Sequence, residues 1–188
     1  MLRNADYIYN NIIIADEVNT TKKYCKKATG IDLSVKSLCE LTNPGIILKN
    51  KTIVAPYKDI KKLNYDVDGN KFTGWYLPKG SYIMFLNEGC KFGPNDVGYI
   101  ILRSSLNRNS TSVQSAIRDP SYSTQNEKGE ILPMSIRLTV DTPLGIYIEE
   151  NARVGQLLVF EIEDGAEQYN GQWMGGRITS SLIKKENK

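Results

Sequence analysis

The sequence predicts a mainly β protein, an antiparallel barrel or sandwich with one short helix at its N-terminal side. Three observations carry this. After Gly30 the apolar residues come in short runs of strand length. Those runs are divided by turn residues at Asn43-Pro44-Gly45, Asp68-Gly69-Asn70 and Pro78-Lys79-Gly80, which supply fixed or positive φ. There is no heptad pattern, internal repeat or low-complexity segment.

Taken in chain order, Ile8, Ile12 and Ile13, with Ala5, Ala15 and Val18 nearby, can form one face of a helix over about 4–18, with Asn4 as its N-cap. The run Ile12-Ile13-Ile14 reads equally as a strand. Lys22 to Lys27 reads as a solvated linker. Strands are expected at 31–35, 46–48, 52–55, 73–77, 81–86, 97–102, 135–140, 144–148 and 153–161. Trp75, Trp173 and the eleven tyrosines are expected mainly in core and interface packing. The polar tail from Lys184 to Lys188 is expected to be frayed or arm-like. With 188 residues, one domain spanning 1–188 is expected, with 1–29 as an N-terminal helical segment and 165–188 as a C-terminal arm.

Composition narrows the chemistry. There is no histidine, so neither a Ser-His-Asp triad nor a histidine zinc site can be assembled, and carboxylates, arginines and hydroxyls must do any catalysis. Cys25, Cys39 and Cys90 are odd in number and far apart, which suits a reduced compartment and gives no paired zinc spacing. A net charge of +3 argues for neither nucleic acid nor membrane. No apolar run approaches the roughly 18 residues of a membrane span, and Met1 to Asp6 lacks signal-peptide order, so a cytoplasmic protein is expected.

An ordered series of motifs points further. Gly30-Ile31-Asp32-Leu33 comes first, then Leu77-Pro78-Lys79-Gly80-Ser81-Tyr82, Glu88, Pro94-Asn95-Asp96 and Gly98. Arg103-Ser104-Ser105-Leu106-Asn107-Arg108, Asp119-Pro120-Ser121-Tyr122, Ala152-Arg153-Val154-Gly155-Gln156-Leu157 and Tyr169-Asn170-Gly171-Gln172-Trp173 follow. Over about 4–182 the chain resembles the dCTP deaminase and trimeric dUTPase superfamily, nearest the deaminase-like branch. The resemblance implies a dUTPase-like distorted β-barrel or jelly roll, a homotrimer, and a deoxynucleoside triphosphate bound between subunits.

It also implies roles. Arg103, Ser104 and Ser105 offer a guanidinium, two hydroxyls and nearby amides to phosphate, and Arg108 reaches the same phosphates or a neighbouring subunit. Asp119 is the base that deprotonates water, with Mg2+ held mainly by the substrate phosphates and no protein metal site. Tyr122 packs on the deoxyribose, Gln156 is a conformational or phosphate-contact position in nucleotide binding, Tyr169 contacts nucleotide, and Asp32 supports the site from beneath.

Three departures shape the expectation. Thr139 stands where family deaminases carry a catalytic Glu, leaving Asp141 or Glu130 as substitutes. Gln172 and Gly176 stand at a phosphate-binding Lys and a nucleotide-contacting Gln. Ser121 and Ser123 replace glycines beside Tyr122, followed by an inserted polar loop, Thr124 to Glu130. The expected activity is dUTP hydrolysis to dUMP and pyrophosphate. The alternatives are an inactive trimer, structural as in a phage virion or nucleotide-sensing, and a dCTP deaminase.

Overall fold

A computed structural model describes residues 1–16, 29–171 and 174–175. The linker at 22–27, Gln172, Trp173, Gly176 and the tail at 184–188 lie outside them. The first helix, α1 (Ala5–Asn11), is shorter than the apolar spacing suggested. The Asn4 side chain accepts from the Tyr7 amide at 2.8 Å and caps it. The helix then gives way to strand β1 (Ile13–Asp16), because the β-branched isoleucines find an antiparallel partner in β9 (Glu88–Cys90).

The largest sheet runs in the order β10 (Asp96–Leu102), β14 (Arg153–Glu161), β2 (Ile31–Leu41), β8 (Gly80–Leu86), β12 (Ser135–Val140), β11 (Thr111–Gln114), with β5 (Tyr57–Asp59) also on β2. Its end strands approach each other, and Gly98 and Arg118 exchange backbone bonds of 2.8 and 2.9 Å, so the sheet curls into a nearly closed barrel. A Cβ at Gly98 would lie 2.4 Å from the Phe92 ring, so glycine permits this closure.

A three-stranded sheet, β13 (Ile146–Glu149), β7 (Asn70–Leu77) and β6 (Leu63–Val67), and the hairpin β3 (Ile46–Leu48) with β4 (Lys51–Ile53) complete the strands. The β6–β7 turn uses Asp68 and Gly69 at φ 50 and 79, the two positive angles of a tight hairpin.

The sequence reading needs correction at several elements. β2 extends from the expected 31–35 to Leu41, because its second half pairs with β8 and β5 after an irregularity between Val35 and Ser37. β1 realises the strand alternative of the Ile12-Ile13-Ile14 run, whereas β5, β6, β9 and β11 were not anticipated as strands. The expected 52–55 strand is β4, ending at Ile53, and the 144–148 strand begins only at Ile146, after Gly145 turns at φ 69.

Ile8, Leu33, Leu38, Trp75, Met84, Leu138 and Leu157 are fully buried, each contributing about 1.5–3 kcal/mol of transfer free energy. Trp75 is a core residue, its indole donating to the Ile60 carbonyl at 2.9 Å. Glu88 is buried without loss of hydrogen bonding. It accepts from the Ser34 amide and hydroxyl at 3.1 and 2.9 Å, while the Asn87 amide donates to the Ser34 hydroxyl. Among the described residues no helix is long and apolar enough to cross a membrane.

Candidate active site

The motif residues assemble into two groups. The first sits where β10 ends. Arg103 keeps extended backbone and is followed by α2 (Ser104–Arg108), one short turn of helix pinned by buried Leu106. On the neighbouring strands, Gln156 pairs with Asp32 on one side and Ile101 on the other, so the first, second and fourth motifs meet through sheet register.

Asp32 is only 3% exposed and its Oδ2 takes two guanidinium groups, Arg103 Nε at 3.2 Å and Arg153 Nη1 at 3.1 Å. One buried carboxylate thereby orients two cations toward the strand end. Arg103 also donates to the Arg153 carbonyl at 3.4 Å. Ser104, Ser105 and Arg108 are exposed on α2. Chemically this is a basic, hydroxyl-rich rim suited to an anion.

The second group lines a cavity of about 550 Å3 containing Asp119, Tyr122, Tyr169, Arg118, Arg137 and Gln114 among its walls. Asp119 and Tyr122 form one tight turn, the Tyr122 amide donating to the Asp119 carbonyl at 3.1 Å. Ser121 within it adopts φ 64, a strained angle for a side-chain-bearing residue. Ser123 has no positive φ, so only one of the two replaced glycines carries this strain.

The described part of the C-terminal segment lies on this turn. The Tyr169 amide donates to the Pro120 carbonyl at 2.9 Å, Ser121 Oγ donates to Gln168 Oε1, and the Tyr122 and Tyr169 rings meet edge-on at 5.7 Å. Burial pushes the Tyr122 phenol up, against the opposing pull of Arg118, so it stays protonated near neutrality. Behind the turn, burial pushes the Cys90 thiol up to about 12, which leaves it inert as a nucleophile.

Arg103, Ser104, Ser105, Arg108, Gln156 and Asp32 do not line the cavity, so the structure keeps the two groups apart within one chain. Thr139 does not line it either. Two residues earlier on the same face of β12, Arg137 does, and it donates to Gln114 Oε1. Asp141 is exposed beyond the strand, its amide bonded to Ser110, and Glu130 is exposed and accepts from Asn126 at 2.7 Å within the loop. Among the described residues Asp119 is the one carboxylate lining the cavity.

The inserted loop is anchored at its start. Thr124 is buried and accepts from the Cys90 amide at 2.9 Å. Sequence reasoning missed Arg118, Arg137, Gln114 and the second cation Arg153. Only Arg153 carried a signal, its place three residues before Gln156 in the fourth motif.

A nearly closed antiparallel barrel, with Arg-Ser-Ser at one strand end and an Asp-Pro turn over a cavity, defines a protein of the dUTPase and dCTP deaminase superfamily. No family model matches the chain. It is 31% identical over 152 residues to a probable deoxyuridine 5′-triphosphate nucleotidohydrolase of Archaeoglobus fulgidus, covering 80% of this chain and 81% of that one. It is 29% identical over 148 residues to a deoxyuridine 5′-triphosphate nucleotidohydrolase of Methanocaldococcus jannaschii, covering 78% and 85%. The chain belongs to the deoxyuridine 5′-triphosphate nucleotidohydrolase family. In fold it is similar to a 2′-deoxycytidine 5′-triphosphate deaminase of Agrobacterium tumefaciens, with TM-score 0.54 and 15% identity. That match covers 84% of this chain and 47% of the other, about half its length.

Proposed function

We propose that the protein hydrolyses dUTP to dUMP and pyrophosphate, in a site completed between copies of a homotrimer. The observation that carries this reading is the cavity's single carboxylate among the described residues. Asp119 can take a proton from water, whereas no second acid stands on β12 to shuttle protons at a nucleobase.

Asp119 holds and deprotonates a water whose oxygen attacks the α-phosphorus. The bond from that phosphorus to the α,β-bridging oxygen breaks, and pyrophosphate leaves with the bond's electron pair. Tyr122 and Tyr169 present ring surface to the deoxyribose, and Arg103 with Ser104, Ser105 and Arg108 of another copy takes the phosphate charge, beside Gln156. Because the two groups stand apart in one chain, a neighbouring copy would bring the second to the first.

The outer face of β10 and its partner β14 supports such an assembly. Tyr99, Ile101 and Phe160 are 44%, 40% and 37% exposed there, an apolar strip beside Gln156. The metal ion of this reading is carried by the triphosphate itself. Bound there, Mg2+ would offset phosphate charge. A cytoplasmic place, a single unit over 1–188, and no membrane or nucleic-acid partner complete the reading.

The test is to incubate the protein with Mg2+ and either dUTP or dCTP and separate the products. The expected result is dUMP and pyrophosphate from dUTP, abolished by Asp119→Asn. Intact dUTP, or full activity in Asp119→Asn, would sink the reading, and intact nucleotides throughout would favour a binding or structural trimer.

A further inference from the structure

Arg118 is 7% exposed and lies at the barrel seam, its backbone paired with Gly98. Its Nη1 donates to the Ala116 carbonyl at 3.0 Å and its Nη2 to the Ser135 carbonyl at 2.9 Å, so one guanidinium joins two walls of the cavity. Its carbon Cζ stands 5.5 Å from the centre of the Tyr122 ring. Its Nε is buried with no hydrogen-bond partner, and among the described residues no acid pairs with it.

An unpaired buried guanidinium is costly, and an apolar side chain would fill the same space at less cost. What the apolar side chain would not do is tie the 115–119 segment to β12 while supporting Tyr122 from one side and the adjoining Asp119 from the chain itself. We propose that Arg118 is a positioning residue, fixing the Asp119–Tyr122 turn over the cavity for the hydrolytic step. This rests on the dUTPase reading above. Arg118 acts through its neighbours, so its loss should appear in turnover more than in substrate affinity.

The experiment compares dUTP hydrolysis, melting temperature and amide exchange in the intact protein and in Arg118→Met, Arg118→Lys and Arg118→Ala. Arg118→Met and Arg118→Lys are expected to lose about 10- to 100-fold in kcat, the range set by a small misplacement of reacting groups. KM should stay within about threefold and the melting temperature within about 4 °C. Added guanidinium should restore part of the turnover of Arg118→Ala and none to Asp119→Asn. Unchanged kcat, or activity that falls only with the folded fraction and is not recovered by guanidinium, overturns the proposal.

If the unsubstituted protein leaves dUTP intact, the hydrolase reading fails by itself, and amide exchange judges the positioning. Amides of 115–122 exchanging about tenfold faster in Arg118→Met, with β2 and β8 unchanged, supports it. Unchanged exchange overturns it.

Discussion

The Asp32 cradle and the Asp119 turn are built by opposite means. In the cradle one buried carboxylate pairs with two arginines, and register across β10, β14 and β2 sets where Asp32, Arg153 and Gln156 stand. In the turn the buried cation Arg118 has carbonyls and a ring for partners, Ser121 is held at positive φ, and support comes from a C-terminal segment far along the chain. A site whose cations share a buried counterion on paired strands resists deformation. A turn with strain and an uncompensated charge keeps its geometry only while its surroundings impose it, so the two regions should respond differently to substitution.

The largest effect is expected in the cradle. Asp32→Ala leaves Arg103 and Arg153 facing each other, and should cost about 3 kcal/mol of stability. That is toward the lower end for a broken buried pair, because both arginines are partly exposed and can rehydrate. Denaturant unfolding checks it, and a loss below about 1 kcal/mol would mean that Asp32 does not hold the two arginines together. In the turn, Asp119→Asn should lower kcat about 100-fold or more while leaving the unfolding midpoint nearly unchanged.

A pH series sharpens the contrast. Cys90 has a raised folded pKa, about 12 against the ordinary 9.0, so its contribution is complete below about pH 9 and is lost as pH rises toward 12. Stability should begin to fall between about pH 9 and 10, before most tyrosines ionise, and Cys90→Ala should remove that early decline. An identical alkaline limb in Cys90→Ala would contradict it. The smallest effect concerns strain: Ser121→Val should be less stable than Ser121→Gly by about 1–2 kcal/mol, measured by thermal unfolding. Equal stabilities would mean the turn relaxes its φ.

How much of this was legible in the sequence follows the same divide. The cradle's Arg103, Ser104, Asp32 and Gln156 lie in compact motifs, and the tight turn at Asp68-Gly69 was visible from residue type alone. β6 does alternate, with Leu63, Tyr65 and Val67 against Asn64 and Asp66, but it is mostly exposed, and the three-residue β5 and β9 are too short to show the apolar alternation that marks a strand; all three form against the strands they pair with. Arg118 beside a turn reads as a solvated charge. Its burial depends on β10 meeting the 115–119 segment, and its hydrogen bond to Ser135 on strand β12, neither of which local pattern encodes. The ion pair between Asp32 and Arg153 spans 121 residues and likewise needed the sheet register to be known.

If the two groups act together across copies of the chain, mixing two inactive variants should rebuild working sites. Arg103→Ala and Asp119→Asn, each deficient in dUTP hydrolysis, are combined under conditions that exchange subunits, and mixed trimers are verified by native mass spectrometry. Roughly a quarter of the unsubstituted activity should return at equal mixing, from sites that draw an intact Asp119 from one copy and an intact Arg103 from the next. Mixed trimers that stay as inactive as their parents would contradict it.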